Sequence, residues 1–465
     1  MNIVLIWAGW TWMSWVAWIL FDLWFSNLIC IDWFKSQLTD KLKEKWIRII
    51  IWHGKYTVNL DDIIIYSEAV HDCIEIQEAK KLFKEKQKIL RIWNYFQFLW
   101  EISKYFQTIW IAWTNGKSST TSLAIYTANK NLKNFWLWIL WALVWQFNNN
   151  SYLINNKNKA WLTSVRSDLK NIFDYIIIWK KLNYENVKKY FFIVEACEYK
   201  RHFLNLDLDY SIITNIELDH TDYYKDLKDY QSAFTQLISK TKNKVLVLEH
   251  RYDTILKITK EKDKIQKVKK TKFWFKYILW EHNQQNWSLV KWLIKKISPI
   301  LKINKIQENM LWFKWLWRRL EFLWINSNWA KIFSDYWHMA SSIKIWYEAL
   351  RWKFKKEKIT VIFQPHQINR IETGRNDFIK AFKHYDQIFI YDIYAARENL
   401  STFKKFKIKS IQDLGENFAE VCWWQYINNF NEIKTIIQSW QKNEIIVICS
   451  AWDIDYKIRQ NIKLK

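Results

Sequence analysis

Short apolar runs, each closed by a polar residue, recur along this chain and alternate with stretches of helical periodicity. Asn2 to Ile6, Asn27 to Ile31 and Asp61 to Ser67 read as buried strands, with a helix running through Leu20 between the first two. Phe106 to Ala112, Tyr190 to Val194, Tyr210 to Thr214 and Thr241 to Glu249 continue the rhythm. Segments 359–370 and 387–398 and the run Glu444 to Cys449 complete it. Strands separated by helical segments predict largely parallel sheets, so the fold class is α/β. The pattern divides the chain into three domains, 1–106, 107–311 and 312–465. Asn148 to Asn158 reads as a polar loop, and Leu256 to Lys272 as a basic, solvated surface segment.

Two strand ends carry turns that suit phosphate. After Ile6 the chain runs Trp7-Ala8-Gly9-Trp10-Thr11-Trp12 into a helix, and Asp32 closes the next strand. After Ala112 it runs Trp113-Thr114-Asn115-Gly116-Lys117-Ser118-Ser119. Backbone N–H groups at a helix start, a Lys and the hydroxyl after it cradle a polyphosphate and its magnesium ion. Such turns need small residues where backbone meets phosphate, yet Trp stands at 7, 10, 12, 110 and 113.

Composition accounts for the misfit. Glycine ordinarily makes up about 7% of a chain; here there are 5 Gly and 35 Trp in 465 residues. Most Trp are therefore read as glycine codons translated with the wrong table. Some bacterial lineages read UGA as glycine, and assigning UGA to Trp gives this pattern. The first turn then becomes G-A-G-G-T-G, and the second belongs to G-I-A-G-T-N-G-K-S.

The net charge of +25 comes from Lys spread along the chain with no Arg-rich block. It suits anionic small substrates and gives no sign of a nucleic-acid partner. Five scattered cysteines without C-x-x-C spacing indicate a reduced, cytoplasmic protein without structural zinc. Residues 1–21 carry no charge, as a membrane span would, but the restored glycines turn them into strand, turn and helix. No membrane partner is expected.

Carboxylates at strand ends supply the remaining chemistry. Glu195 opens EACEYKRHF and Asp219-His220 ends NIELDH. Beside a phosphate loop, these are candidate Mg²⁺ ligands. Further on come WEHNQQN at 280–286, Lys314 with Arg318 and Arg319, SDYWHMA at 334–340, FQPHQINR at 363–370 and SAWDID at 450–455.

Taken in order, these strings resemble the Mur ligases over essentially the whole chain, and in particular their L-alanine-adding members. Trp stands at the family's glycine in most of the motifs. The resemblance implies a Rossmann-like N-terminal domain that binds a UDP-sugar, a central P-loop ATPase-type parallel sheet, and a C-terminal Rossmann-like ligase domain. It implies ATP-dependent amide formation between L-alanine and the lactyl carboxylate of UDP-N-acetylmuramate through an acyl phosphate, by a monomer or homodimer.

The resemblance also assigns roles. Ala112, Trp113, Thr114, Asn115, Gly116, Lys117, Ser118 and Ser119 would hold ATP, with Asn283, Asn286 and Asp335. Ser118, Glu195 and His220 would bind Mg²⁺. Lys117, Glu195, His220 and Arg319 would be catalytic. Trp7, Gly9, Trp10, Trp12, Asp32, Ser67, Arg318, His338, His366 and Arg370 would meet the other substrates. The family has Thr where Ser118 stands, and its D-D-Y-x-H-H-P pattern is here SDYWHMA. Two alternatives remain: a ligase that recycles murein peptide onto the same sugar nucleotide, and a P-loop module without ligase activity.

Overall fold

The computed structural model describes residues 1–465 apart from 10, 88–90, 113–116, 132–135, 145–149, 155–158, 183–187, 196–197, 221–222, 274, 276–280, 312, 314–317, 319, 337–339, 396–397, 399–403, 405–406, 422–423, 451–452 and 462–465. Within the elements it leaves aside the side chains of 11–12, 37, 131–165, 281–282, 341, 349, 453 and 456. The chain forms two compact units, Met1–Lys314 and Trp315–Lys465.

The first unit holds two sheets. Strands β1 (Ile3–Ile6), β2 (Leu28–Asp32), β3 (Arg48–Ile51), β4 (Ile63–Tyr66) and β5 (Ile92–Asn94) form a parallel sheet in the order β3-β2-β1-β4-β5. The order reverses between β1 and β4, and ligands of open α/β sheets sit outside the carboxyl ends at such a point. Residues 1–21 are thus a strand, a turn and part of the helix Thr11–Asp22. Among the described residues no helix is long and apolar enough to cross a membrane.

The second sheet comprises β6 (Gln107–Ala112), β7 (Trp136–Val144), β8 (Asn150–Ile154), β9 (Phe191–Glu195), β10 (Tyr210–Ile213), β11 (Val245–Leu248) and β12 (Ile265–Val268). Its order is β12-β11-β10-β6-β9-β7-β8, parallel except for the β7–β8 pair. The two sheets are joined through packed aromatics: Phe96 stacks on His202 at 3.8 Å, and Phe98 meets Phe173 at 6.1 Å.

Two expectations are corrected here. The segment 148–158 contains β8, whose Asn150 and Leu153 pair with Val144 and Trp138. The basic segment 256–272 contains the edge strand β12, with Ile265 and Val268 buried. Polar residues on an edge strand face water, which hides the strand from a reading based on apolar runs.

The Trp315–Lys465 unit carries β13 (Glu321–Ile325), β14 (Lys331–Asp335), β15 (Lys358–Gln364), β16 (Gln387–Tyr391), β17 (Gln425–Ile427) and β18 (Glu444–Ser450). The order is β13-β14-β18-β15-β16-β17, parallel except for the β13–β14 hairpin. The segment 359–370 is not one strand. It stops at Gln364, and after Pro365 and Gln367 (φ 71°) the helix Ile368–Phe382 begins. Likewise 387–398 is strand only to Tyr391.

Tryptophan occupies backbone positions that belong to glycine. Of sixteen non-glycine residues with positive φ among those described, six are Trp: 7, 24, 46, 52, 179 and 329. Trp46 follows the helix Gln37–Glu44, donating to the Lys43 carbonyl while Ile47 N–H reaches the Leu42 carbonyl. Trp24 does the same after Thr11–Asp22, with Phe21 and Leu20 as acceptors. These are Schellman ends, whose left-handed residue is usually Gly. Both indoles are exposed, Trp46 at 95%. Buried Trp15 donates its Nε1 to Tyr95 Oη at 3.2 Å, but Nε1 of Trp110, Trp287 and Trp440 has no hydrogen-bond partner among the described residues.

Among the described residues three cysteines are free and buried: Cys30 in β2, Cys73 before the helix Ile74–Glu85, and Cys449 in β18. Burial pushes all three thiols up, Cys73 to about 12.

Candidate functional site

Strand order brings the expected chemistry together. β6, which leads into the phosphate loop, lies between β9 and β10, with Ile111 level with Glu195 and Ala112 level with Ile213. The carboxyl ends of three neighbouring strands therefore converge, and the helix Lys117–Asn131 starts above them. Ser118 Oγ donates to Glu195 Oε1 at 2.7 Å, both side chains buried. A hydroxyl and a carboxylate oxygen so placed match the donor set of a hard divalent cation.

Glu198 links the rest. Lys117 Nζ donates to both its oxygens, at 2.5 and 2.7 Å. His220 Nε2 lies 3.4 Å from Glu198 Oε1 and 3.9 Å from Asp219 Oδ2. Glu198, Asp219 and His220 bring ligand atoms within 4.8 Å of one another. Burial pushes the Glu198 carboxyl up, but Lys117 and then His220 outweigh it, and the group stays below its usual range. Burial pulls His220 down, while Asp219 and Glu198 raise it to a net upward shift. His220 is held at φ 54°, and Tyr199 packs on its ring at 5.0 Å. Sequence reasoning missed Glu198, three residues past the strand that presents Glu195. Its signal was the second Glu of EACEY.

Asn283 and Asn286 are buried in the first turns of the helix Glu281–Ile297, with Asn286 Nδ2 3.5 Å from Asn283 Oδ1. That helix packs on Lys117–Asn131. Ser119 lies in the first turn of the latter. Trp113, Thr114, Asn115 and Gly116 lie outside the described residues.

At the N-terminal sheet, the turn after β1 and Ser67 after β4 flank the point where strand order reverses. Trp7 has φ 69° and donates to the Ile31 carbonyl at 2.7 Å. Gly9 N–H donates to Asp32 Oδ2 at 2.8 Å, and a Cβ on Gly9 would meet that oxygen at 2.8 Å and Thr39 Cγ2 at 2.9 Å. Burial pushes the Asp32 carboxyl up, against hydrogen bonds from Phe34 and Gly9 and the nearby His53. Ser67 is buried and caps a short helical turn by accepting from Ala69 N–H at 3.3 Å. Trp10 and the side chain of Trp12 lie outside the description.

In the C-terminal unit, Asp335 ends β14 and accepts from Leu320 N–H. Arg318 is 5% exposed, with its guanidinium 3.4 Å from Asp455 and donating to the Ser450 carbonyl. That side chain is committed inside its own unit. His366 and Arg370 lie together, with Arg370 Nη1 3.2 Å from His366 Nδ1. Arg319 and His338 lie outside the described residues.

Comparison with known proteins agrees with this arrangement. The family model of the Mur ligase middle domain matches residues 111–296. A UDP-N-acetylmuramate–L-alanine ligase of Clostridium botulinum (strain Okra, type B1) is 30% identical over 463 residues, spanning 92% of this chain and 90% of that one. The protein of the same name in Caldicellulosiruptor saccharolyticus is 26% identical over 460 residues, spanning 91% and 90%. The crystal structure of UDP-N-acetylmuramate-alanine ligase from Thermotoga maritima matches in fold with a TM-score of 0.72 at 19% identity, covering 100% of this chain and 98% of that one. With near-complete coverage of a relative at 30% identity and the phosphate-loop strand set between Glu195 and His220, the chain belongs to the Mur ligase family.

Proposed function

We propose that this chain joins L-alanine to the lactyl carboxylate of UDP-N-acetylmuramate at the expense of ATP, making a peptidoglycan precursor in the cytoplasm. The observation that carries the chemistry is the convergence of Lys117, Ser118–Glu195 and Glu198–His220 at three adjacent strand ends. A lactyl carboxylate oxygen attacks the γ-phosphorus of ATP and ADP leaves. The alanine amine then attacks the acyl carbon of the resulting acyl phosphate. The adduct loses a proton and expels phosphate, leaving the amide.

Each residue has a task in this scheme. Lys117, with the loop amides up to Ser119, holds the β- and γ-phosphates and offsets charge as the phosphoryl group moves. For that, Lys117 exchanges Glu198 for the nucleotide. Ser118 and Glu195 would hold Mg²⁺, and His220 with Glu198 would hold a second cation. Bound there, magnesium supplies charge neutralisation at the transferring phosphoryl group. Asn283 faces adenine and Asn286 supports it. Asp335 ties the start of the C-terminal domain together, and Arg319 steadies the phosphates. His338, His366 and Arg370 serve the amino acid, while Arg318 holds its own domain. The turn at 7–12, Asp32 and Ser67 hold the UDP part. In this reading, residues 1–106, 107–311 and 312–465 act as sugar-nucleotide, ATP and ligase domains.

The test is phosphate release from ATP with UDP-N-acetylmuramate present and each amino acid offered singly. Release that requires L-alanine supports the proposal; release without any amino acid, or none in a folded, glycine-restored chain, removes it.

A further inference from the structure

The end of β3 and the start of the helix Ile74–Glu85 bring three unlike side chains together in the first unit. Trp52 follows β3 at φ 83° and donates to the Asp32 carbonyl at 2.8 Å, which sets the backbone that presents His53. His53 Nδ1 meets Glu75 Oε2 at 2.6 Å, and Gly54 N–H donates to Glu75 Oε1 at 2.7 Å. Cys73, the N-cap residue of that helix, completes the group. One ligand atom from each of His53, Cys73 and Glu75 lies within 4.8 Å of the others. The Glu75 side chain is fully buried, that of His53 is 3% exposed, and Cys73 lies in an apolar cluster with Ile50, Val70 and Ile76.

Nitrogen, sulfur and oxygen in one buried group are the donor set of a thiophilic divalent cation of the zinc class. The cluster of Glu198, Asp219 and His220 brings together only oxygen and nitrogen atoms and suits a harder ion. A thiolate and a carboxylate together carry two negative charges, so a bound dication leaves the group neutral in its apolar surroundings. The helix N-terminus favours the thiolate. Gly54 holds the second oxygen of Glu75 from outside, as outer partners of metal ligands do. Nε2 of His53 is buried and has no hydrogen-bond partner among the described residues, so nothing there opposes transfer of the ring proton from Nδ1. Cysteine spacing predicts no zinc because such motifs are read from paired cysteines; one thiol joined to a His and a Glu leaves no such mark.

We propose that His53, Cys73 and Glu75 form a metal site of the zinc class, which clips the end of β3 to the start of the helix Ile74–Glu85. His53 Nδ1, Cys73 Sγ and a Glu75 oxygen are the ligands, and water takes the fourth tetrahedral position. The ion replaces the hydrogen bond between His53 and Glu75. On binding, the Cys73 thiol proton passes to solvent and the Nδ1 proton to Nε2. β3 is an edge strand, paired with β2 alone, so a clip at its end closes the chain between His53 and Cys73 and holds the edge to a helix. The role of the ion is stability of this sheet, and it does not depend on which ligand the sheet binds.

The experiment uses the full chain, stripped of metal with a chelator and titrated with Zn²⁺ or Co²⁺, beside Cys73→Ser and His53→Gln. A thiolate on Co²⁺ gives a charge-transfer band in the near ultraviolet that oxygen and nitrogen ligands alone do not give. The band therefore separates this site from Ser118–Glu195 and Glu198–His220. The parent should show the band, and Zn²⁺ should raise its Tm by about 3–5 °C. Cys73→Ser should fold with a metal-free Tm close to the parent's and lose both the band and the zinc-dependent rise. His53→Gln should weaken Zn²⁺ by about a hundredfold. Absence of the band in the parent, or the same band in folded Cys73→Ser, overturns the site. So does an equal zinc-dependent rise in both chains, or an unchanged Zn²⁺ affinity in His53→Gln.

Discussion

Trp46 shows in one residue how sequence and backbone disagree. Its left-handed conformation costs an L-residue about 1–2 kcal/mol, and its exposed indole recovers little by packing. Trp24→Gly and Trp46→Gly should each stabilise the chain by about 1 kcal/mol in urea unfolding, and the coding sequence should read UGA at both positions. UGG codons, or a loss of stability, would refute the reading. The Lys117–Glu198–His220 cluster makes a second residue-scale prediction. Glu198 is held below its ordinary 4.5, so its stabilisation is full above that value and fades as pH falls through the native pKa. His220 is raised above 6.5, so its share is full below that value and is lost as pH rises through the native pKa. The ligand-free cluster is therefore tightest between the two. His220→Gln should flatten the alkaline side of a Tm–pH curve and leave the acid side in place.

At the scale of elements, the sequence was most legible where a buried strand ends in a chemical group. β1 and β9 are apolar runs, β6 is apolar from Ile109 and β10 is interrupted only by Ser211; they are closed by the turn, Glu195, the loop and Asn215 to His220 respectively. Lys117, Ser118 and Glu195 could be found from that pattern. Glu198 does not follow from that pattern, because it lies three residues past the end of β9. β8 and β12 escaped because edge strands need only one apolar face. Small elements also set the site: Ser36 caps the helix Gln37–Glu44 in a capping box with Thr39, and its hydroxyl reaches the Gly9 carbonyl at 3.4 Å. Ser36→Ala should lower stability by about 1 kcal/mol in chemical denaturation and weaken sugar-nucleotide binding more than ATP binding.

For the whole molecule, three sheets are distributed over two compact units, and the cluster of Lys117, Ser118–Glu195 and Glu198–His220 lies in the first of them. The parallel architecture was readable from the alternation of strand and helix. The antiparallel pairs β7–β8 and β13–β14 were not, since alternation of strand and helix does not show two strands that follow one another. In β13–β14 the connection 326–330 includes Trp329, another positive-φ tryptophan, again masking a glycine-type turn.

The buried thiols of β2 and β18 turn this division into something that can be timed. Cys30 lies in the N-terminal sheet and Cys449 in the C-terminal one, each shielded from reagents while its sheet is closed. A maleimide can reach either only when that sheet opens, so site-resolved mass spectrometry becomes a clock for each. Equal labelling rates would mean that the units open as one cooperative block. Slower labelling of Cys30 in the presence of UDP-N-acetylmuramate, with Cys449 unchanged, would mean that each unit keeps its own time.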